Sequence, residues 1–163
     1  MTSEQHSVAA ATPRAGGADD DLEQRPDDEL TAFNTAAAGG ARTQPLTVRV
    51  TDAPGALAGG LTAWTWSTLA SVDVLWVCEE QRQADWGSRL MRAGEEAVRR
   101  GCSDMIVSTH TFQAPGFYPR LGFRERGRVE GVPGGHEGVP GGHEDVYFHK
   151  RIGVGGTGGV LGA

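Results

Sequence analysis

The chain is poor in cysteine and carries no excess of positive charge. Its 163 residues include two cysteines, Cys78 and Cys102, which are far apart and lack the spacing of a metal site. We therefore expect two ordinary thiols in a reducing compartment, the cytoplasm, rather than a disulfide framework. The formal net charge of −6 at pH 7 gives no overall basic field. This argues against nucleic acid and against an anionic membrane surface as partners.

Long apolar runs are also missing. No run approaches the roughly 18 residues of a membrane span, and the amino-terminal residues lack the apolar centre of a secretion signal. Residues 1–26 are polar and without periodicity, and residues 153–163 are rich in glycine. The predicted organisation is therefore a disordered tail over 1–26, one domain over 27–152 that begins with a helix at Pro26, and a flexible tail over 153–163.

The most informative stretch lies between residues 72 and 101. Val72–Val77 is an apolar run of strand length, and from Trp86 apolar residues recur at helical spacing up to Gly101, a typical helix stop. The first N–H groups of a helix lack partners inside the helix, and the helix dipole favours negative charge there. A strand, a tight turn and a helix in this order therefore predict an anion-binding turn before Trp86.

The remaining elements follow from shorter patterns. A weak apolar stripe predicts a helix around 30–37, and Pro119 predicts that the helix over 115–122 is short or kinked. Further strands are predicted at Leu46–Thr51, Gly60–Trp66, Met105–Thr109, Phe123–Glu130 and Asp145–Arg151. The strand Met105–Thr109 should lie parallel to Val72–Val77, because a helix connects the two.

A heptapeptide, EGVPGGH, occurs twice in tandem, at Glu130–His136 and Glu137–His143. A surface loop tolerates such an insertion, since loop-closure entropy costs only about 0.6 kcal/mol per doubling of length. The repeat concentrates ligand-type residues, namely His136, His143, Glu137, Glu144 and Asp145. A seven-residue spacing in a loop rich in glycine and proline fixes no coordination geometry, so we expect no metal site.

Two motifs in this order, VDVLWVCEEQRQADWGSRLM and FQAPGFYPRLGF, resemble the GNAT superfamily of acyl-CoA-dependent N-acyltransferases. The resemblance covers roughly residues 30–151. It implies an α/β fold, an α+β mixed sheet of six to seven strands with about four helices, whose central parallel strands splay apart to admit acetyl-CoA. It also implies a small-molecule amine as acceptor, no nucleic acid or membrane partner, and a homodimer as a common assembly.

In that family the pyrophosphate of CoA lies on backbone amides of a loop with the pattern Arg/Gln-x-x-Gly-x-Gly/Ala. The resemblance assigns coenzyme binding to the strand end and the loop: Leu75, Trp76, Val77, Arg82, Gln83, Ala84, Asp85, Trp86, Gly87 and Ser88. The backbone amides near Val77 are expected to hold the acyl carbonyl.

Asp85 departs from this pattern, because it occupies the position of the first glycine. At 4 Å, a carboxylate would repel a phosphate charge by about 1 kcal/mol in water and about 4 kcal/mol at an effective dielectric constant of about 20. Asp85 is also a good N-cap residue, whose oxygen would then occupy the N–H groups that the phosphate needs. Arg82 and Arg89 could offset part of either loss, so the sequence leaves the strength of coenzyme binding open.

The second motif carries the chemistry. By the resemblance, Tyr118 protonates the departing CoA thiolate, a role that suits a phenol because it is neutral at pH 7. Two residues are candidates for accepting the proton of the amine: Asp73, the one charge in a strand expected to be buried, and His110, just past the next strand. The structural alternatives are an Asp73 paired with an arginine and a His110 that caps a loop.

The resulting hypothesis is an N-acetyltransferase that transfers an acetyl group from acetyl-CoA to a primary amine of a small molecule by direct attack. The alternative is a GNAT fold that has lost this transfer and serves as a binding protein or as an enzyme of other chemistry, such as a decarboxylase or cyclase. Asp85 favours the alternative, and the motif around Tyr118 opposes it.

Overall fold

The computed structural model describes residues 15–99, 101–132 and 142–153. These residues belong to two compact units, Met1–Gly40 and Ala41–Ala163. In the first unit, helix α1 spans Asp20–Ala37. It ends at Gly39 and Gly40, whose positive φ angles of 64° and 93° are typical of a glycine stop.

Helix α1 corrects the predicted helix start. Pro26 lies inside α1 rather than at its entrance, so residues 20–25 of the predicted disordered tail are helical. Proline lacks the N–H that bonds to the carbonyl four residues earlier, so it is normally expected at the start of a helix rather than inside one. For this reason the sequence did not indicate that the helix begins before Pro26. Acidic residues at Asp19–Asp21 favour the earlier start, because they stabilise the positive end of the helix dipole. Residues 1–14 and 154–163 of the predicted tails lie outside the described residues.

The second unit is built on a mixed sheet, and its order along the sheet is β1-β2-β3-β4-β6-β5, counted over the described residues. The strands are β1 (Gln44–Thr51), β2 (Leu57–Trp66), β3 (Leu69–Val77), β4 (Asp104–His110), β5 (Arg124–Val132) and β6 (His143–Arg151). Helix α2 spans Trp86–Val98, α3 spans Phe117–Arg120, and a 3₁₀ helix (Glu79–Ala84) precedes α2. The predicted fold class and the six predicted strands are confirmed, with boundaries that differ by a few residues.

The two central strands are parallel over only part of their length. The pairing of β3 with β4 runs from Leu69–Asp104 to Val72–Val107 and stops there. Beyond this point β3 stays paired with β2, whereas β4 stays paired with β6. A notch therefore opens between the carboxyl ends of β3 and β4, as the sequence analysis expected.

A β-bulge lies at the point where the notch begins. Thr62 is opposite Val74 and Ala63 is opposite Val72, so Asp73 is an extra residue on β3. A bulge reverses the alternation of side chains along a strand. Before the bulge the even-numbered residues of β3 face the core, and after it the odd-numbered residues Leu75 and Val77 pack there instead.

The core of the second unit lies between the sheet and helix α2, which packs against β1, β2 and β3. Leu90 and Met91 of α2 are buried with Leu61 of β2. A Cβ atom at Gly94 would lie 3.2 Å from Leu61 Cδ1, which shows how closely the helix approaches the sheet. This packing fixes where the first turn of α2 lies. In the described ranges, no helix is long and apolar enough to cross a lipid bilayer.

Helix α2 is also tied to β6 by charged groups. Glu95 is 13% exposed and accepts hydrogen bonds from Lys150 Nζ at 2.6 Å and from Arg99 at 2.9 Å. Arg99 in turn donates to the backbone oxygen of Ile152 at 3.2 Å. Because these contacts are partly shielded from water, they hold the carboxyl half of α2 against the end of β6 more firmly than exposed pairs would.

The inward face of β2 yields a test of this packing. Leu61 is 1% exposed, and Leu57 in the same strand is 48% exposed. We expect Leu61→Ala to lower the free energy of unfolding by about 2–5 kcal/mol, because it leaves a cavity under α2, and Leu57→Ala to lower it by less than about 1 kcal/mol. Urea unfolding followed by tryptophan fluorescence measures both. Equal losses in the two variants would contradict the assigned face.

Candidate active site

A cleft of about 830 Å³ opens at the notch between β3 and β4. Its walls come from the end of β3, the turn before α2, the first turn of α2, the segment after β4, and α3. Seven of the ten predicted coenzyme-binding residues line it: Leu75, Trp76, Val77, Arg82, Asp85, Gly87 and Ser88. The predicted proton donor Tyr118 lines the same cleft.

Two predicted coenzyme-binding residues with described side chains, Ala84 and Trp86, are not among those that line the cleft. Ala84 belongs to the 3₁₀ helix, as does the backbone of Gln83, whose side chain is outside the described part of the structure. Trp86 begins α2, and its ring lies under the guanidinium group of Arg89, with Cζ 3.8 Å from the ring centroid. This cation–π contact engages the guanidinium group of Arg89. The sequence analysis proposed that group as a positive charge that offsets the effect of Asp85 on phosphate binding.

The turn before α2 leads directly into the amino-terminal end of that helix. The first turn of α2 is formed by Trp86, Gly87 and Ser88, whose N–H groups lie too early in the helix for intrahelical partners. A Cβ atom at Gly87 would meet Phe117 at 3.3 Å, so a glycine suits this close approach of α2 to α3. Arg82 Nε donates to the backbone oxygen of Val77 at 3.2 Å and links the turn to the end of β3.

Asp85 adopts the left-handed conformation, with φ 56° and ψ 22°. Glycine favours this region, and aspartate tolerates it at a cost on the order of 1 kcal/mol. Its side chain makes no capping hydrogen bond, so the predicted capping role is wrong. A left-handed residue directs its side chain away from the helical N–H groups, and the carboxylate lies instead 3.8 Å from Arg92, with both side chains mostly exposed.

The charged side chains that line the cleft are the guanidinium groups of Arg82 and Arg120 and the carboxylate of Asp85. Two positive groups therefore oppose one negative group at the cleft wall. Together with the positive end of the α2 dipole, this arrangement favours an anionic ligand.

Tyr118 lies on α3, a four-residue helix that ends before Gly122, whose φ is 87°. The predicted short helix within 115–122 is confirmed. The Tyr118 ring is 7% exposed and packs against Phe117, Phe123 and Phe148, at centroid distances of 5.2, 5.9 and 5.5 Å. Burial raises the pKa of the Tyr118 phenol above its usual value, so the hydroxyl group keeps its proton at neutral pH.

His110 is the last residue of β4. Side chains alternate along a strand, so the neighbouring Thr109 faces the cleft and His110 faces the opposite side of the sheet. Phe112 connects the two sides, because it lines the cleft and stacks on the His110 ring at 5.0 Å. The Nδ1 atom of His110 lies 2.5 Å from Oδ1 of Asp145 on β6.

The end of β4 and the chain that follows it contribute cleft residues that sequence reasoning missed. Thr109 is buried and donates its hydroxyl hydrogen to Gln113 Oε1 at 2.9 Å, and the same oxygen accepts the backbone N–H of His110 at 3.3 Å. Gln113 and Arg120 also line the cleft. The one local signal that could have identified Thr109 is the presence of a polar residue within the apolar run of a strand.

Asp73 is not part of this cleft. The bulge exposes it, so its predicted burial is wrong. It lines a separate cavity of about 440 Å³, which it shares with Arg126, Tyr147 and His149. The structure thus brings Tyr118 and most of the predicted coenzyme-binding residues together in one cleft. The His110 ring lies on the other side of the sheet, against Phe112, and Asp73 lies outside the cleft.

Two of the ligand-type residues at the end of the tandem repeat and just after it have protein partners. His143 Nδ1 lies 3.2 Å from Thr111 Oγ1, and Glu144 accepts a hydrogen bond from Arg128 at 2.6 Å. His136 and Glu137 lie outside the described residues. Over the described ranges, no group of three or more histidine, cysteine, aspartate or glutamate side chains could hold a metal ion.

Comparisons with known proteins agree with this geometry. No family model matches the sequence. A blasticidin-S acetyltransferase of Streptomyces morookaense is 42% identical over 100 residues, which are 56% of this chain and 71% of that protein. The crystal structure of an acetyltransferase from Bacillus cereus is 26% identical and gives a TM-score of 0.70, covering 86% of this chain and 97% of that one.

A GNAT superfamily phosphinothricin acetyltransferase from Sinorhizobium meliloti, solved in complex with acetyl-CoA, shares the fold. It is 17% identical, gives a TM-score of 0.55, and covers 83% of this chain and 76% of that one. Three findings indicate the same family: the 42% identity to a curated acetyltransferase over more than two thirds of its length, the splayed central strands, and the two motifs in the sequence. The chain therefore belongs to the GNAT superfamily of N-acetyltransferases.

Proposed function

We propose that this protein transfers an acetyl group from acetyl-CoA to a primary amine of a small molecule. One observation carries the proposal: a single cleft at the splayed strands is lined both by the first turn of α2 and by Tyr118. Its volume of about 830 Å³ lies within the range of small-molecule and cofactor sites. The pyrophosphate would bind to the N–H groups of Gly87 and Ser88, with Arg82 and Arg120 adding positive charge.

In the proposed reaction, the amine nitrogen attacks the thioester carbonyl carbon. The new C–N bond forms as the C–S bond breaks, and the electron pair of the C–S bond leaves on sulfur. Tyr118 gives its phenolic proton to the departing thiolate, and His110 accepts the proton that the amine loses. Water then returns a proton from the imidazolium to the phenolate, so the enzyme regains its starting state.

We favour transfer over a binding protein or a different chemistry because the objection raised by Asp85 is smaller than its sequence position indicates. Its backbone takes the left-handed conformation that a glycine would take, and its side chain leaves the helical N–H groups uncapped. Arg92 also offsets part of its charge. The remaining repulsion between the Asp85 carboxylate and the pyrophosphate is screened by water and amounts to about 1 kcal/mol.

The acceptor is proposed to be an amine-bearing antibiotic, and blasticidin S is the first candidate. The support is the 42% identity to a protein named blasticidin-S acetyltransferase. The acceptor would approach the thioester from the His110 side of the notch, opposite the coenzyme. Cytoplasmic location and a homodimer stay predictions from the sequence.

The first test concerns the proton donor. We expect Tyr118→Phe to lower kcat by about 10²- to 10⁴-fold with little change in KM for acetyl-CoA, because phenylalanine keeps the ring packing and removes only the proton. Release of free CoA thiol, measured with blasticidin S as acceptor, gives both constants. Tyr147→Phe is the matched control, since Tyr147 is 45% exposed and lies outside the cleft. Equal rates in the two variants would exclude Tyr118 as the proton donor.

The second test concerns the acidic residue of the turn. Asp85→Asn removes the charge and tolerates the left-handed conformation, whereas Asp85→Gly also removes the backbone strain. We expect both variants to bind acetyl-CoA about fivefold more tightly than the wild type in calorimetric titrations, which corresponds to about 1 kcal/mol. Asp73→Asn removes a charge outside the cleft and should leave Kd unchanged. Weaker binding by Asp85→Asn would show that the carboxylate supports the coenzyme site, and no binding by any variant would refute the proposed function.

A further inference from the structure

His110 and Asp145 face each other across two paired strands. The register of β4 and β6 places them directly opposite, and their side chains meet with Nδ1 and Oδ1 2.5 Å apart. The side chains are 36% and 29% exposed, but the His110 Nδ1 atom itself is enclosed from water. The contact therefore lies in a partly shielded site where an electrostatic interaction is stronger than at an open surface.

The contact with Asp145 favours one position of the ring proton. It lacks hydrogen-bond geometry, but a hydrogen on Nδ1 is attracted by the nearby carboxylate whereas a lone pair there is repelled, so the contact favours the neutral imidazole with its hydrogen on Nδ1. The Nε2 atom then keeps its lone pair. Among the described residues Nε2 has no hydrogen-bond partner and is not enclosed, so it is open to an incoming proton.

A second contact fixes the plane of the ring. Phe112 stacks on His110 with a centroid distance of 5.0 Å and an interplanar angle of 22°. The edge of Phe112 is held in turn by His143, at 5.0 Å and 80°. Carboxylate contact at one edge and aromatic contact on one face restrict rotation about both side-chain torsions of His110.

Asp145 contacts His110, whereas the charged groups near it contact one another. The adjacent carboxylate, Glu144, is bound by Arg128 at 2.6 Å, and Arg128 also holds Glu125 at 2.6 Å. Asp145 of β6 lies opposite the apolar Val129 of β5. The guanidinium group that binds the adjacent Glu144 is thus engaged by two carboxylates other than that of Asp145.

We propose that Asp145 is a positioning residue for acetyl transfer: it holds His110 as the Nδ1–H tautomer so that Nε2 takes the proton from the attacking amine. The catalytic part of this inference rests on the proposed function, whereas the assignment of the tautomer does not. In the step, the amine N–H bond breaks toward Nε2, the C–N bond forms, and the imidazolium is stabilised by the Asp145 carboxylate.

The tautomer can be measured without turnover. Nitrogen-15 NMR spectra of histidine rings distinguish a protonated Nδ1 from a protonated Nε2, and a series of spectra recorded at rising pH identifies the signals of the neutral rings. The chain has five histidines, and His110→Gln identifies the His110 signals by their loss. We expect the Nδ1–H tautomer in the wild type and in Glu144→Gln, and a shift toward the Nε2–H tautomer in Asp145→Asn. An Nε2–H tautomer in the wild type, or an unchanged spectrum in Asp145→Asn, would overturn the assignment.

Kinetics then test the catalytic consequence. With acetyl-CoA and blasticidin S, we expect Asp145→Asn to lower kcat by about 10- to 100-fold, a part of the roughly 10²- to 10⁴-fold that a general base contributes, with KM for acetyl-CoA unchanged. Glu144→Gln is the matched control, because its side chain is 27% exposed on the same strand and pairs with Arg128. In a His110→Gln background, Asp145→Asn should have no further effect.

Two results separate this inference from the proposed function. A kcat of Asp145→Asn equal to that of Glu144→Gln would overturn the positioning role while acetyl transfer stands. A wild type that shows the Nδ1–H tautomer but acetylates neither blasticidin S nor a panel of primary amines would refute the proposed function, and with it the catalytic part of this inference, while the tautomer assignment holds.

Discussion

The early end of the pairing between β3 and β4 is the constraint on which the rest of the structure depends. Parallel hydrogen bonding stops at the Val72–Val107 pair, and the bulge at Asp73 marks the same point on β3. Because the strands diverge, one cleft receives the ends of β3 and β4, the first turn of α2, and α3. A fully paired sheet would close this cleft and separate the anion-binding turn from Tyr118.

Much of the fold could be predicted from local pattern. The apolar run of β3 and the helical period of α2 are both short-range signals, and the structure agrees with them. Tyr118 was predicted because its motif is contiguous in sequence. Pro26 misled, because a proline at an assumed helix start cannot reveal a helix that begins six residues earlier, at Asp20.

The parts that could not be predicted depend on pairing between distant segments. Asp73 reads as an interior charge if β3 alternates regularly, and only its partners on β2 show the extra residue. Asp145 gains its significance from lying opposite His110, a contact across 35 positions of the chain that depends on the register of β6. For Asp85 the sequence showed the charge but not the backbone dihedral, which decides where the charge points.

The tandem repeat begins at Glu130 in β5 and ends at His143, the first residue of β6, so its two ends belong to the last pairs of the β5–β6 ladder, whereas β6 pairs with β4 only from Asp145 onward. An insertion of seven residues, an odd number, would turn every side chain of β6 to the other face if it displaced the pairing. Because the repeat ends before the residues of β6 that pair with β4, His110 stays opposite Asp145. The chain can therefore evolve in loop length, and so in the surface it offers to a new molecule, while the contact between His110 and Asp145 is inherited unchanged.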